Sequence, residues 1–487
     1  MCPFFPGFRL PVVFSCHLGL RNALAAALLL SALDCPAQNP AGSARADLDS
    51  YPPDSPAASH ASLDLRVPGP NPGSWLFPVT ELDRSLPSWL QFGAQFRDRV
   101  EGQVGLHYAP TNDTYNLTQL RIGIYIQPTN WFRIVSVTQD SRVFFNQHVP
   151  NAPPYQNVWD LREAYAKIGD GDSSWITATV GREVLSFGDE RVIGPSDWLN
   201  MGRSFDTARV DLKANGLQLA VFAASVIIAR DGVIDHHIQG NNLYGIYAGL
   251  NKLIPHATLE PYLLWRVAHA GLHLSENDNG LGALSEVTGG ARLAGTAGPI
   301  DFDVEMNKQT GSLGPKTVDA WAGHWNAGYV IQKTTIKPRL FVEYNYASGN
   351  KNPNGSTWST HDQIYPSSHD KMDFGDQFGW RNIRDLRAGV QERLGRMWTL
   401  SQVVDNVWLA SKYDAIYSSS GAVSVPAHPN VASTHAGTEL ELIAECKQNR
   451  HFSYGFGLAH LFPGAFLNQA TPGRDYNYPF AYSTYIF

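Results

Sequence analysis

From Leu90 onward the chain alternates between apolar and polar residues with a period of two. Leu90, Phe92, Ala94 and Phe96 interleave with Gln91, Gly93, Gln95 and Arg97. The same pattern recurs at Leu120–Ile126 against Gln119–Tyr125, at Ala208–Leu212 against Arg209 and Asp211, and at Ile300–Met306 against Asp301–Asn307. It returns at Leu340–Tyr344, Leu386–Val390, Leu440–Ala444 and Phe452–Leu458. Period two is the signature of a strand with one apolar and one polar face. Repeated along several hundred residues, it predicts one large antiparallel β-barrel with lipid on one side of the wall and water on the other. Counting weaker segments, the pattern gives about eighteen strands, an even number that returns both ends of the barrel to one rim.

The connections fit that expectation. Gln127–Asn130, Ala214–Gly216 and Lys333–Thr335 read as short turns. Phe144–Asn157, Ser186–Ser204, Gly271–Leu284, Ser348–Ile383 and Ser411–His435 read as long loops. Short turns at one rim and long loops at the other is the arrangement of an outer-membrane barrel. The final residues, Tyr482-Ser483-Thr484-Tyr485-Ile486-Phe487, form a last strand with aromatic residues at alternate positions and a terminal Phe.

Composition narrows the class. Aromatics make up 11% of the 487 residues and there are 43 glycines, while the mean hydropathy is −0.22. After residue 35 no stretch approaches the roughly 18 uninterrupted apolar residues of a membrane helix. A net charge of −7 leaves no basic excess for a nucleic acid. It does not bear on an anion-selective pore, which depends on where charges sit in the lumen.

The N-terminal region reads as targeting sequence. Arg9 and Arg21 precede the apolar run Ala23–Leu33, and small residues follow at Ala37, Ala41 and Ala44, as in an export signal over 1–37. Asp34 occupies the position before Cys35 where lipoprotein processing needs a small residue. Residues 38–87, rich in Pro, Ser, Ala and Asp, read as a flexible leader, and 88–487 as the barrel. Cys2, Cys16 and Cys35 lie in the removable segment, leaving Cys446 alone and no disulfide framework. A closed ladder of backbone hydrogen bonds would hold the fold instead.

No nucleophile elbow, phosphate loop or zinc-helix motif appears. His236–His237 is the only adjacent histidine pair and sits after Asp231-Gly232. The row Asp301/Asp303/Glu305 reads as one lumen-facing face rather than an acid–base pair. Neither catalysis nor a cofactor or metal is expected. The arginines carry the functional signal: Arg97, Arg99, Arg121, Arg209, Arg339, Arg387 and Arg393 all fall on the polar parity. Facing lipid, each would cost about 2–4 kcal/mol near the bilayer midplane, so the lumen is their place. Asp211, Glu343 and Asp385 on the same faces can orient them. Two readings remain open: a charge ladder bracing the wall, or a row of planar donors along which a carboxylated polymer moves.

Two stretches resemble the alginate export family of outer-membrane barrels. The first is Gly181-Arg182-Glu183-Val-Leu-Ser-Phe-Gly188-Asp189-Glu190-Arg191-Val-Ile-Gly194, continuing through Asp197-Trp198, Asn200, Arg203, Phe205-Asp206 and Arg209. The second is Glu343-Tyr344-Asn345-Tyr346-Ala347-Ser348-Gly349, followed by Tyr365-Pro366, His369, Met372-Asp373 and Trp380-Arg381-Asn382-Ile383. Leu461-Phe462-Pro463-Gly464 and Thr471-Pro472-Gly473 are also similar. The resemblance implies an eighteen-stranded barrel with an arginine-lined constriction that exports an acidic polysaccharide. It implies that Arg182, Glu183, Arg191, Asp197, Arg203, Asp206 and Arg209 line or brace the pore. Alternation from Ile176, Ala178 and Val180 conflicts on one point, because it turns Arg182 outward and Glu183 inward; a bulge or strand end near Gly181 would resolve it.

The expectation is a passive outer-membrane channel for an anionic saccharide. Its partners would be that substrate, outer-membrane lipid and periplasmic export components. A chain closed on itself needs no second copy, so a monomer is expected. The alternatives are a general small-solute porin, a barrel enzyme acting on lipid or sugar, and a structural or adhesive barrel.

Overall fold

A computed structural model describes residues 82–83, 85–169, 174–270, 272 and 282–487. The expected export signal, and almost all of the expected leader, lie outside the described residues. The barrel strands in chain order are β1 (Leu90–Val104), β2 (Asn112–Thr129), β3 (Phe132–Phe144), β4 (Asn157–Ile168), β5 (Ile176–Glu183), β6 (Phe205–Ala214) and β7 (Leu217–Ile228). They continue with β8 (His236–Ile254), β9 (Ala257–Ala268), β10 (Leu284–Ala297), β11 (Ile300–Leu313), β12 (Lys316–Val330) and β13 (Arg339–Ala347). A two-residue segment, β14 (Thr357–Trp358), lies inside a loop and pairs parallel with β12. The wall resumes with β15 (Ile383–Leu394) and β16 (Trp398–Leu409). A small loop hairpin follows, β17 (Ile416–Tyr417) and β18 (Val423–Val425), and then the wall strands β19 (His435–Lys447), β20 (Phe452–Pro463) and β21 (Tyr476–Ile486). One short helix, α1 (Ala465–Ala470), precedes β21.

Each wall strand pairs antiparallel with the next, and β1 pairs with β21 from Gln95↔Ile486 to Val104↔Asn477, so the sheet closes. The 19-stranded sheet includes β14, which leaves eighteen wall strands, as the alternation predicts. Closure satisfies every strand's backbone without a free edge, which is what allows β-structure to cross a bilayer.

Side-chain parity follows the sequence. Val180, Val221, Ile246, Leu263, Val342, Leu386, Val404 and Leu442 are exposed on the outer surface. Arg99, Arg121, Arg209, Glu305, Glu343, Asp385 and Arg387 are buried on the inner one. Turns at 130–131, 215–216, 255–256 and 298–299 form one rim; the segments 145–156, 184–204, 348–382 and 410–434 leave the other. One connection departs from this pattern: 314–315 joins β11 to β12 tightly at the long-loop rim. The long loops do not stand away from the barrel. Leu185, Phe187, Val192 and Ile193 from 184–204 share a buried cluster with Tyr365, Met372, Phe378 and Trp380 from 348–382. The same cluster takes in Phe222, Tyr247 and Tyr262 of the inner wall. These loops therefore bury apolar side chains inside the lumen, where burial favours the docked arrangement.

Candidate functional site

The two inward loops meet along a backbone seam. Gly194 N donates to Tyr365 O (2.8 Å), Tyr365 N to Val192 O (3.0 Å) and Ser367 N to Glu190 O (2.9 Å). Arg203 reinforces it by donating to Gly194 O (3.1 Å) and Pro366 O (2.8 Å); burial lowers its pKa to about 10. Residues 184–204 and 348–382 thus form one unit spanning the lumen from β5/β6 to β13/β15.

Arginines of the wall hold that unit. Asp197, near the tip of 184–204, receives Arg121 Nη2 (2.8 Å) and Arg162 Nη2 (3.0 Å) on the same carboxylate oxygen. Arg97 donates to the Asp197 carbonyl (2.7 Å) and to Leu199 O (3.1 Å). Partial burial opposes ionisation of Asp197, but Arg121 and Arg162 hold its carboxyl well below the usual carboxylate range. One residue along, Trp198 lies 4.1 Å beneath the Arg99 guanidinium, and its carbonyl accepts Arg99 Nη1 (2.5 Å). Its other face stacks on His369 of the second loop, 4.1 Å between centroids. Asn200 donates to Thr118 O, Arg142 O and Tyr155 O, and its carbonyl accepts Gln119 and Ser141.

On the opposite wall, Arg191 pairs with Glu343 (2.9 Å) and with its neighbour Asp189 (2.9 Å). Arg387 donates to Asp405 (2.8 Å) and Glu441 (3.2 Å), and to the loop carbonyls of Asp370 and Lys371. Arg266 pairs with Asp362 of the second loop. Burial works against that carboxylate too, yet Arg266 and Arg381 bring its pKa down to about 2.

The remaining sequence-derived candidates divide by place. Arg209 and Glu183 face inward and pair at 3.1 Å. Arg339 sits toward the short-turn rim, bonded to Asp301, Asn326 and Gln391. Arg393 is on the inner parity at the same rim, half-buried. Arg182 and Asp206 are corrected: β5 and β6 run in continuous register from Ile176↔Leu212 to Glu183↔Phe205, so no bulge turns Arg182 inward. It shares the outward parity of Val180 and pairs there with Asp206 (3.1 Å), which also meets His237 (2.7 Å). Gly181 does adopt φ +128, but this does not shift the pairing. Arg182 and Asp206 brace the outer side of the long-loop rim and do not line the lumen.

Sequence reasoning missed Arg162, Arg266 and Arg292. Arg266 and Arg292 lie on inward parities and were open to the same argument as their neighbours. Arg162 was hidden: Thr138 pairs with Leu161 and Val137 with Glu163, so Arg162 is an extra, bulged residue. A bulge breaks the alternation locally, and both Arg162 and Glu163 end up buried.

The architecture is that of an outer-membrane-type β-barrel, with two loops clamped in its lumen by arginines. The chain belongs to the alginate export family, whose family model (Alginate export) matches residues 88–481. Among solved structures it is similar to OccAB1 of Acinetobacter baumannii (TM-score 0.55, 10% identity, 82% of this chain and 96% of that one). It is also similar to OpdO of Pseudomonas aeruginosa (0.54, 13%, 83% and 98%) and to OccD3 (OpdP) of the same organism (0.52, 12%, 81% and 91%). At such identities the likeness speaks for the fold alone. No curated protein sequence matches the chain. Family and fold together support an outer-membrane channel.

Proposed function

We propose that the protein is a gated outer-membrane channel for an anionic saccharide, with the inner-wall arginines as its selectivity element. The carrying observation is the convergence of Arg97, Arg121 and Arg162, from β1, β2 and β4, on the single loop residue Asp197. Arginine presents planar donors matched to a carboxylate. A uronate carboxylate is chemically the same acceptor as the Asp197 side chain. When the loop withdraws, the polymer's acid groups would take over these donors, so the loop acts as an internal placeholder for the cargo. Exchange of one carboxylate for another leaves no arginine unpaired, which keeps the cost of opening low. The inner-wall pairs Arg209–Glu183 and Arg339–Asp301 keep further guanidinium groups oriented around the wall, while Arg191 of the loop pairs with Glu343 of β13.

Planar-bilayer recording tests this. Wild-type channels should prefer anions in their open state and be blocked by uronate oligomers; Arg121→Ala and Arg162→Ala should weaken both properties. An open state that prefers cations and ignores uronates would leave a general small-solute porin in its place.

A further inference from the structure

The strands β16 and β19 place three carboxylates on one inner patch of the wall. Asp405 and Glu439 are direct cross-strand partners, and Glu441 follows two residues along the same face. All three are buried, and a ligand oxygen from each lies within 4.8 Å of the others. The second inward loop covers them. Phe374 N donates to Glu441 Oε1 (2.9 Å) and Gly375 N to Glu439 Oε1 (3.4 Å). Asp373, also buried, turns over the same point: an atom placed where a Gly375 Cβ would stand lies 3.0 Å from Glu439 Oε2 and 3.3 Å from Asp373 Oδ2.

Arg387 is the positive charge bonded to two of the three, at Asp405 Oδ1 and Glu441 Oε2. Asp405 Oδ2 and Glu439 Oε2 are then left buried with no hydrogen-bond partner. An ionised carboxylate oxygen out of water and without a partner is strongly unfavourable. Three acids against one guanidinium cannot stay ionised together without a further cation. The free donors are all hard oxygens, with neither nitrogen nor sulfur among them. That set suits Ca²⁺, which takes several carboxylate and carbonyl oxygens in flexible geometry, better than zinc or copper.

We propose that Asp405, Glu439 and Glu441 form a calcium site, and that the bound ion fastens the 348–382 loop to the barrel wall. The proposal is independent of what the lumen carries. Bound calcium would favour the docked loop, and chelation would loosen it, so occupancy would set how readily the channel opens.

The test uses the full-length protein in detergent micelles, stripped with chelator and titrated with Tb³⁺, which substitutes for Ca²⁺ and is sensitised by nearby tyrosines. Tyr476 adjoins Gly375, its Cε1 3.2 Å from the position a Cβ there would take. The expected result is one saturable class per chain, displaced by Ca²⁺. It should weaken at least tenfold in Glu439→Gln and in Asp405→Asn, each checked for a heat-modifiable barrel on gels. Chelator should also lower the unfolding temperature of wild type. Absence of a saturable class in wild type with no chelator effect would overturn the proposal and assign neutralisation of the cluster to protons. A class that survives in a folded variant would overturn it as well.

Discussion

Removing the carboxylate of Asp197 tests the clamp on the first loop most directly. In Asp197→Ala, Arg121 and Arg162, whose side chains are 2% and 4% exposed, lose their shared acceptor. Breaking a fully buried ion pair costs about 3–5 kcal/mol. Here the acid is 38% exposed, so solvent screening takes part of that away. Arg121 also keeps Gln139, and Arg162 keeps Ser204. We take about 2 kcal/mol as the loss of docking free energy; at 1.4 kcal/mol per tenfold this raises the undocked-to-docked ratio about 30-fold. The assay is single-channel recording, in which the variant should spend a correspondingly larger share of time at high conductance, and Asp197→Glu should recover most of the docked behaviour. The pH control has a definite sign. Because the folded pKa of Asp197 is depressed, its contribution is complete above the unfolded carboxylate value of about 3.9 and is lost only as pH falls below it. Acidification to pH 5 should therefore not mimic the substitution through this residue. Conductance histograms of Asp197→Ala that coincide with wild type would refute the clamp.

Three further outcomes follow from the same geometry. His361 of the second loop, buried between Trp380 O of the same loop and Asn307 of β11, has its pKa lowered to about 4 by burial. Against an unfolded value of about 6.5, its neutral form stabilises docking fully above pH 6.5, and up to about 3 kcal/mol is lost as pH falls from 6.5 to 4; unfolding temperatures should drop over that window in wild type and less in His361→Gln. Leu442→Arg places a charge on the lipid face, where Leu442 is 52% exposed. It should cost about 2–4 kcal/mol in urea unfolding from lipid vesicles. Gly105 turns out of β1 at φ +87, where a Cβ would meet Asp475 O at 2.1 Å. Gly105→Ala should destabilise by at least about 1–3 kcal/mol from the backbone conformation alone, seen as loss of the compact band at a lower heating temperature.

The division between sequence and fold can be read from particular residues. Alternation along β2, β6, β13 and β15 was enough to place Arg121, Arg209, Glu343 and Arg387 on the inner face, because a strand's period of two is a local property that the rest of the chain does not alter. The same rule turned Arg182 outward, and in the structure Arg182 shares the parity of Val180 and pairs there with Asp206. Turn and loop lengths likewise marked which rim carries the long segments. Local rules stopped at Arg162, where an unpaired residue opposite Thr138 and Val137 resets the parity. Nothing in the sequence around Trp159 to Glu163 announces that extra residue.

The encounter of Arg97, Arg121 and Arg162 with Asp197 required more, since it joins three strands to a loop about 100 residues from Arg97 in sequence. So did the seating of Asp373 and Gly375 over Asp405 and Glu439. The chain by itself determined a closed wall, its two faces and the rims, through periodicity and hydrogen-bond closure. Only the tertiary structure decided that the long loops turn inward and that the lumen's charges are spent on holding them, because a loop's path is set by distant partners and not by its own period.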